Sequence, residues 1–293
     1  MTKKIKILIA TGGSGGHVFP AYSLANHFAD NNYNVELITD QRGYNFLKNY
    51  KNFKIKKIIS SPLIKKNILK IFISICVISY SIFRSLILLI LNRPKIVFGM
   101  GGYSSFPICI AATVLKIKFI IYENNLIIGK ANRYLLPFAK KIFVSYKDLE
   151  GIPEKYTSKV CEIGNLIRKE IINFKKKKEE KNNLDEIKIL VLGGSQAAKV
   201  FAEKLPQVFK RCKESKISLK IYQQCLKNQN EQLSILYKNL NIDFEIFNFS
   251  NDIVTYFSKV NLAITRSGAS MLGELINVNI PFISVPLPTS ADN

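Results

Sequence analysis

Two stretches decide the fold: "KIKILIATGGSGGHV", residues 4–18, is echoed by "EIKILVLGGSQAAKV", residues 186–200. In both, a short apolar strand runs directly into glycines and then into a helix-like segment. A strand, a glycine turn and a helix are the opening of a nucleotide-binding α/β unit. A chain of 293 residues is long enough for two such domains. The sequence therefore predicts an α/β protein with two Rossmann-like domains.

The rest of each half continues the same alternation. After the first turn, a helical face is predicted from Ala21, Leu24, Ala25 and Phe28. Strands are predicted at 34–40, 95–102, 118–125, 140–146, 219–225, 244–249, 262–268 and 281–287. Strands that alternate with helices favour parallel sheets with right-handed crossovers.

The domain boundaries follow from the charge pattern. The charge-rich run "RKEIINFKKKKEEKNNLDE", residues 168–186, is typical of a solvated linker. It predicts an N-terminal domain at 1–167 and a C-terminal domain at 187–293. Contact of this run with nucleic acid is a less favoured alternative.

Charge and cysteine usage narrow the class of protein. The chain has 43 Lys and Arg against 21 Asp and Glu, a net charge of +22, which suits nucleic acid, anionic lipid or a phosphorylated substrate. Genome-driven lysine usage would give the same excess, so charge alone decides nothing. The 5 cysteines are scattered without a CxxC pair, which indicates a reduced, cytosolic chain and argues against zinc. The N-terminus lacks the long apolar core of a secretory peptide.

One segment is long and apolar enough to span a bilayer: "ILKIFISICVISYSIFRSLILLILN", residues 68–92. Lys70 and Arg84 interrupt it, and Lys65 and Lys66 precede it. A charge in mid-membrane is costly, whereas a broad apolar face with flanking cations suits the membrane interface. We therefore expect interfacial contact; a plain core helix and a true span are the alternatives.

The glycine turns predict phosphate binding, because bare backbone and a helix N-terminus suit an anion. "GGSGGHVF" is neither a Walker loop nor GxGxxG in register, although Asp40 keeps an NAD enzyme open. "GGSQA", 193–197, misses the esterase motif GxSxG. No DxD occurs, so a leaving diphosphate would be held by helix ends and basic residues. Candidates are Ser14, Gly15, Gly16, Arg168 and Ser195.

Five motifs, in this order, resemble the MurG family of glycosyltransferases: "TGGSGGHVFPAYSLA", "GMGGYSSFP", "GNLIR", "LGGSQAAK" and "TRSGASMLGE". The resemblance implies the GT-B fold, with two Rossmann-like domains facing each other across a cleft. It implies inverting transfer of N-acetylglucosamine from UDP-N-acetylglucosamine to undecaprenyl-diphosphoryl-N-acetylmuramoyl pentapeptide. The reaction belongs to peptidoglycan synthesis and needs no cofactor or active-site metal. The family lies on the cytoplasmic side of the inner membrane, and no nucleic-acid partner is implied.

The resemblance also assigns roles to residues. His17 matches the histidine that would act as general base; a histidine that only binds phosphate or caps the helix is the alternative. His27 is expected on the surface. Glu274 would accept hydrogen bonds from the ribose hydroxyls, with a helix-surface acid as the alternative. Asn125 would contact the sugar, and the backbone of Ser250 would contact uracil. Phosphate of the donor would lie beside Ala269, Ser270, Met271, Leu272 and Gly273. The acceptor diphosphate would lie on Gly101, Gly102 and Tyr103.

Three departures from the family pattern qualify the resemblance. Ala197 stands where the family has glycine, and Asn124 where it has glutamine. The family continues past "PLPTSADN" through a sugar-contacting glutamine and further helices, so we expect an incomplete C-terminal domain. The alternatives are another UDP-sugar glycosyltransferase acting on a membrane lipid, and an inactive nucleotide-sugar-binding protein.

Overall fold

The chain divides into two units, Met1–Arg168 and Lys169–Asn293. The structure, a computed structural model, describes residues 4–48, 50, 52–60, 67–174, 186–248, 250 and 252–286, except for the side chains at 194–198. Both units are parallel sheets with helical crossovers. The predicted α/β class with two Rossmann-like domains is confirmed.

Unit 1 alternates strands and helices throughout its described residues. Its sheet has the order β3-β2-β1-β4-β5-β6-β7, and every neighbouring pair is parallel. The elements are β1 (Lys6–Ala10), α1 (Gly15–Asp30), β2 (Asn34–Thr39), α2 (Gln41–Leu47), β3 (Lys54–Lys57), α3 (Ile68–Asn92), β4 (Ile96–Gly99), α4 (Ser105–Val114), β5 (Phe119–Glu123), α5 (Lys130–Leu135), β6 (Lys141–Val144) and β7 (Val160–Glu162).

Alternate residues of β1 supply both faces of this sheet. Leu8 and Ala10 pack into a core with residues of α4 and α5, whereas Ile7 and Ile9 pack with the buried face of α1. A parallel sheet covered on both faces needs such a continuous apolar strand. The predicted helical face of α1 is confirmed, because Ala21, Leu24 and Ala25 are buried and Phe28 packs beside them.

Unit 2 repeats the plan with the strand order β10-β9-β8-β11-β12, again all parallel. Its elements are α6 (Lys169–Ile172), β8 (Glu186–Leu192), α7 (Gly194–Glu214), β9 (Ser218–Gln224), α8 (Asn230–Asn239), β10 (Asp243–Phe247), α9 (Val254–Phe257), β11 (Leu262–Arg266), α10 (Ala269–Asn277) and β12 (Phe282–Val285). The start of the predicted linker forms α6, whose Ile171 is buried. Residues 175–185 and 287–293 lie outside the described residues, as do Lys65 and Lys66.

Helix α3 buries mainly small polar side chains. Its buried residues are Ser74, Ser81, Ser85 and Leu89, and it packs against α4. Ten of its large apolar side chains are exposed: Ile68, Leu69, Phe72, Ile73, Ile75, Tyr80, Phe83, Ile87, Ile90 and Leu91. Among the described residues it is the one helix long and apolar enough to cross a membrane, yet only 22% of its most apolar window is buried. That exposure contradicts the alternative of a plain core helix.

Candidate functional site

In unit 1 the strand order reverses between β1 and β4. Strands β2 and β3 lie beyond β1, and β5 to β7 lie beyond β4. Open parallel sheets bind ligands at such a reversal, outside the carboxyl ends of the strands. The first glycine turn, residues 11–16, leaves β1 there, and the second, residues 100–104, leaves β4.

The two glycine turns pack directly against each other. Gly101 and Gly102 have φ angles of +81° and +77°, which residues other than glycine rarely adopt. A Cβ atom added at Gly102 would lie 2.6 Å from the carbonyl oxygen of Gly12, and one added at Gly101 would lie 2.7 Å from Nδ1 of His17. The missing side chains thus make room for the imidazole of His17.

His17 lies in the first turn of α1 and is partly buried. Burial lowers the pKa of His17 below its ordinary value of 6.5, against the opposing effects of the Glu123 carboxylate and a hydrogen bond to the backbone of Met100. The largest cause is therefore desolvation. A histidine that is neutral near neutral pH has a lone pair with which to accept a proton. His27 is exposed, as predicted.

Glu123, at the end of β5, was missed by sequence reasoning. It is only 2% exposed, and its oxygens accept hydrogen bonds from Nδ2 of Asn125 at 2.9 Å, N of Gly129 at 2.8 Å and Nδ2 of Asn132 at 3.0 Å. A buried carboxylate needs such donors. The signal was present in the sequence, since an acid ends a strand immediately before the predicted sugar-contacting Asn125.

The neighbouring asparagines tie this strand end to the first glycine turn. The side chain of Asn124 donates to the carbonyl oxygen of Gly16 at 3.0 Å. Asn125 is exposed at the same edge, with its amide nitrogen held by Glu123. Thus the end of β5, the first glycine turn and His17 belong to one hydrogen-bonded and electrostatic cluster.

Asp40 holds the first glycine turn from the other side. Its two oxygens accept from N of Gly13 at 3.1 Å and from N of Gly43 at 2.7 Å. The carboxylate therefore caps α2 and fixes the turn. This use of Asp40 disfavours the alternative in which it binds the ribose of NAD.

The remaining predicted residues of unit 1 lie around the same edge. Ser14 is exposed and precedes α1 without a side-chain capping bond, and Gly15 opens the helix. Tyr103 is 47% exposed. Arg168 is buried, and its guanidinium lies 4.7 Å from the ring centroid of Phe19. Phe19 lies on the same helix as His17. The predicted diphosphate role of Arg168 stays a prediction.

Unit 2 has its own reversal, between β8 and β11. The third glycine turn follows β8 at Gly193, and "RSG", residues 266–268, follows β11. Helix α7 begins after the first of these and contains Ser195, whose side chain is outside the described ones. Helix α10 begins after the second, with Gly268 at its N-cap.

The predicted donor residues lie on α10 and near α9. Ala269, Ser270, Met271 and Leu272 are partly buried in the first turns of α10, and Gly273 is buried. Glu274 is 4% exposed, so the alternative of a helix-surface acid is wrong. Ser250 accepts a hydrogen bond at its Oγ from N of Asp252 at 3.2 Å. Over the described residues, no three His, Cys, Asp or Glu side chains are grouped as metal ligands would be.

Both units match models of a known protein family. The glycosyltransferase family 28 N-terminal domain matches residues 7–144, and the family 28 C-terminal domain matches residues 188–293. Two relatives carry the name UDP-N-acetylglucosamine–N-acetylmuramyl-(pentapeptide) pyrophosphoryl-undecaprenol N-acetylglucosamine transferase. The one from Pelagibacter ubique is 38% identical, covering 98% of this chain and 79% of its own. The one from Rickettsia bellii is 34% identical, covering 98% and 80%.

A solved structure agrees with these relatives. The crystal structure of Acinetobacter baumannii MurG has a TM-score of 0.72 and 25% identity, covering 98% of this chain and 79% of its own. The resemblance to MurG enzymes predicted from five motifs is thereby confirmed. With a family model on each unit and relatives well above 30% identity, the chain belongs to glycosyltransferase family 28.

Proposed function

We propose that the protein transfers N-acetylglucosamine from UDP-N-acetylglucosamine to the muramyl sugar of undecaprenyl-diphosphoryl-N-acetylmuramoyl pentapeptide. The observation that carries the proposal is the imidazole of His17, packed on the second glycine turn with a lowered pKa. The names of the Pelagibacter and Rickettsia relatives support it, because they specify this donor and this acceptor.

In this reaction His17 takes up the proton of the acceptor hydroxyl. The C4 hydroxyl of the muramyl sugar attacks the anomeric carbon of the donor, and the bond from that carbon to UDP breaks with its electrons leaving on UDP. The neutral imidazole takes the hydroxyl proton, which makes the oxygen a better nucleophile. The Glu123 carboxylate favours the resulting imidazolium, as its raising effect on the pKa of His17 indicates.

The glycine turns would hold the phosphates. In unit 1, the acceptor diphosphate would lie on the backbone of Gly101 and Gly102 beside Tyr103. In unit 2, the first turns of α10 offer backbone N–H groups and the positive end of a helix to the donor diphosphate. We assign Glu274, Asn125 and Ser250 to the donor's ribose, sugar and uracil.

Turnover and binding measured separately test the role of His17. With labelled UDP-N-acetylglucosamine and the lipid-linked muramyl acceptor, His17→Ala should lower kcat by about 10²–10⁴-fold, the usual contribution of a general base, with donor affinity little changed. His27→Ala, on the exposed side of the same helix, is the matched control. Equal turnover in His17→Ala would remove the base assignment.

The same assay separates the alternatives. Disaccharide-lipid product supports the proposal. Product only with diacylglycerol would indicate a different lipid acceptor, and tight UDP binding without turnover would indicate a nucleotide-sugar-binding protein.

We further propose a peripheral position on the cytoplasmic face of the inner membrane, with the exposed apolar face of α3 as the contact. Phe72 and Ile73 are 64% and 52% exposed on this helix. Arg84 is also exposed in its second half, where a bilayer span would bury a charge at a cost of a few kcal/mol. The net charge of +22 adds attraction to anionic lipid.

Vesicle flotation tests this contact. The protein should float with anionic vesicles, and Phe72→Ser with Ile73→Ser should reduce the floated fraction. Ile235→Ser, which removes a 52% exposed apolar side chain on α8 of unit 2, should not. Protein that stays in the soluble fraction with anionic vesicles would contradict the membrane assignment.

A further inference from the structure

The segment Ile58–Ser60 follows β3 directly and borders two cavities of unit 1. The first has a volume of about 490 Å³ and is lined by residues 40–42 and 57–60. The second, of about 460 Å³, is lined by residues 56–59 and by α3 between Tyr80 and Asn92. Both are lined by Lys57, Ile58 and Ile59, so the two cavities meet at this segment.

Hydrogen bonds fix the segment between the glycine turns and the apolar helix. The Oγ of Ser60 lies 2.8 Å from the Oγ of Ser104, in the second glycine turn. On the other side, Ser81 of α3 donates to the carbonyl oxygen of Ile59 at 2.5 Å. The segment therefore joins α3 to the second glycine turn, with one cavity on the side of Arg42 and the other on the side of α3.

The first cavity carries positive charge. Arg42 and Lys57 line it, and within the described residues neither has a carboxylate partner at ion-pair distance. The guanidinium of Arg42 lies against the first glycine turn, with Nη2 3.3 Å from the position of a Cβ on Gly13. Asp40 also faces the cavity, but both its oxygens already accept backbone hydrogen bonds. Lys57 donates to Oε1 of Gln41 at 3.5 Å and lies 4.9 Å from the ring centroid of Tyr44. Two cations without a carboxylate partner suit a phosphate.

The second cavity is largely apolar at its outer end. Tyr80, Ile87 and Leu91 line it and are 51%, 39% and 77% exposed. Arg84 stands among them, whereas Lys56 is paired with Glu36 at 2.8 Å. An apolar wall beside a cationic pocket matches a ligand with a hydrocarbon chain attached to a phosphate.

We propose that the two cavities form one groove that binds the lipid-proximal part of the acceptor. The first isoprene units lie along Tyr80, Ile87 and Leu91, and the phosphate nearest the lipid lies between Arg42 and Lys57. This inference rests on the proposed function only in that the acceptor is lipid-linked. It gives Lys57 the role of steering the diphosphate towards the glycine turns.

Kinetics in detergent with two acceptors tests the groove: one with a long polyprenyl chain, the other with a methyl group on the same diphosphate. Leu91→Ser should raise KM only for the long-chain acceptor, by about tenfold, or ~1.4 kcal/mol. Lys57→Ala should raise KM for both by a similar factor, with the KM of the donor unchanged. Controls are Phe83→Ser, an exposed α3 residue outside the cavity, and Lys118→Ala, an exposed lysine elsewhere on unit 1.

The outcomes separate the groove from general membrane contact. An equal effect of Phe83→Ser and Leu91→Ser would overturn the proposal, since chain binding would then be simple partition into micelles. So would an unchanged KM in Lys57→Ala, or an equal rise in Lys118→Ala.

Photocrosslinking keeps the proposal testable if the wild-type protein transfers sugar to neither acceptor. A photoreactive polyprenyl diphosphate should label residues 80–91 in the full chain, and unlabelled polyprenyl diphosphate should compete. Labelling suppressed by phosphatidylglycerol and not by polyprenyl diphosphate would overturn the proposal, because the groove would then bind a phospholipid headgroup. Absence of labelling in this region would overturn it as well.

Discussion

Gly101→Ala is the substitution that most directly tests the arrangement of the two glycine turns. The added Cβ would lie 2.7 Å from Nδ1 and 2.9 Å from Cε1 of His17, whereas ordinary contacts begin at 3.4 Å. Since Gly101 is fixed by its own turn, the imidazole has to move. The substitution therefore displaces the proposed base without altering its chemistry.

The expected size follows from two separate effects. Restoring contact requires the nearest ring atom to move from 2.7 Å to at least 3.4 Å, and a misplacement of about 1 Å costs on the order of 10²-fold in rate. In addition, a φ of +81° costs a residue with a Cβ roughly 1–2 kcal/mol. Because domains have about 5–15 kcal/mol of stability, the variant should remain folded.

Gly164→Ala is the matched control for the backbone effect. Gly164 has a φ of +76° and nothing within 4 Å of an added Cβ. Both variants should lose similar free energies of unfolding in urea titrations, but only Gly101→Ala should lose kcat, with the Kd for UDP-N-acetylglucosamine unchanged. If Gly101→Ala keeps the kcat of Gly164→Ala, contact with Gly101 does not position the catalytic base and the reasoning fails.

Three further substitutions test other parts of the site. Because burial lowers the pKa of His17, the unfolded chain binds a proton more readily than the folded chain. The free energy of unfolding should therefore fall as pH drops below 6.5. In urea titrations at several pH values, His17→Gln should lack the part of this pH dependence that His17 contributes. Asp40→Ala removes the bonds to Gly13 and Gly43 and should cost about 1–2 kcal/mol; an unchanged midpoint would refute this. Glu274→Ala should weaken donor binding by calorimetry, and an unchanged Kd would contradict the ribose role.

The sequence predicts the fold class well because the decisive signals are local. A run such as "KILIA" before glycines specifies a buried parallel strand and a turn without reference to the rest of the chain. Once strands and helices alternate, the handedness of crossovers leaves few sheet orders open. The position of the glycine turns at the carboxyl ends of strands follows from the same alternation.

The contacts between the glycine turns could be identified only from the structure. The contact of His17 with Gly101 and the hydrogen bond from Asn124 to Gly16 each join segments that follow different strands. No local sequence pattern specifies the distance between such segments. Glu123 illustrates the limit, since an acid at a strand end is unremarkable in sequence until the four side-chain and backbone donors around its carboxylate are seen. The pKa of His17 is lowered mainly by burial, which local sequence does not report.

Helix α3 shows why an apolar pattern does not tell which face is buried. Ser74, Ser81 and Ser85 face inward because small side chains let two helices approach closely. Their hydroxyls are satisfied within the helix: Ser74 donates to the carbonyl of Lys70 at 2.8 Å, and Ser85 to that of Ser81 at 2.6 Å. Burying serine therefore leaves no unpaired polar group. The larger aliphatic and aromatic side chains are then left outside, where water is a poor solvent for them. A contiguous apolar surface of this kind marks an interaction site, and on this enzyme it begins beside the groove that leads to the glycine turns.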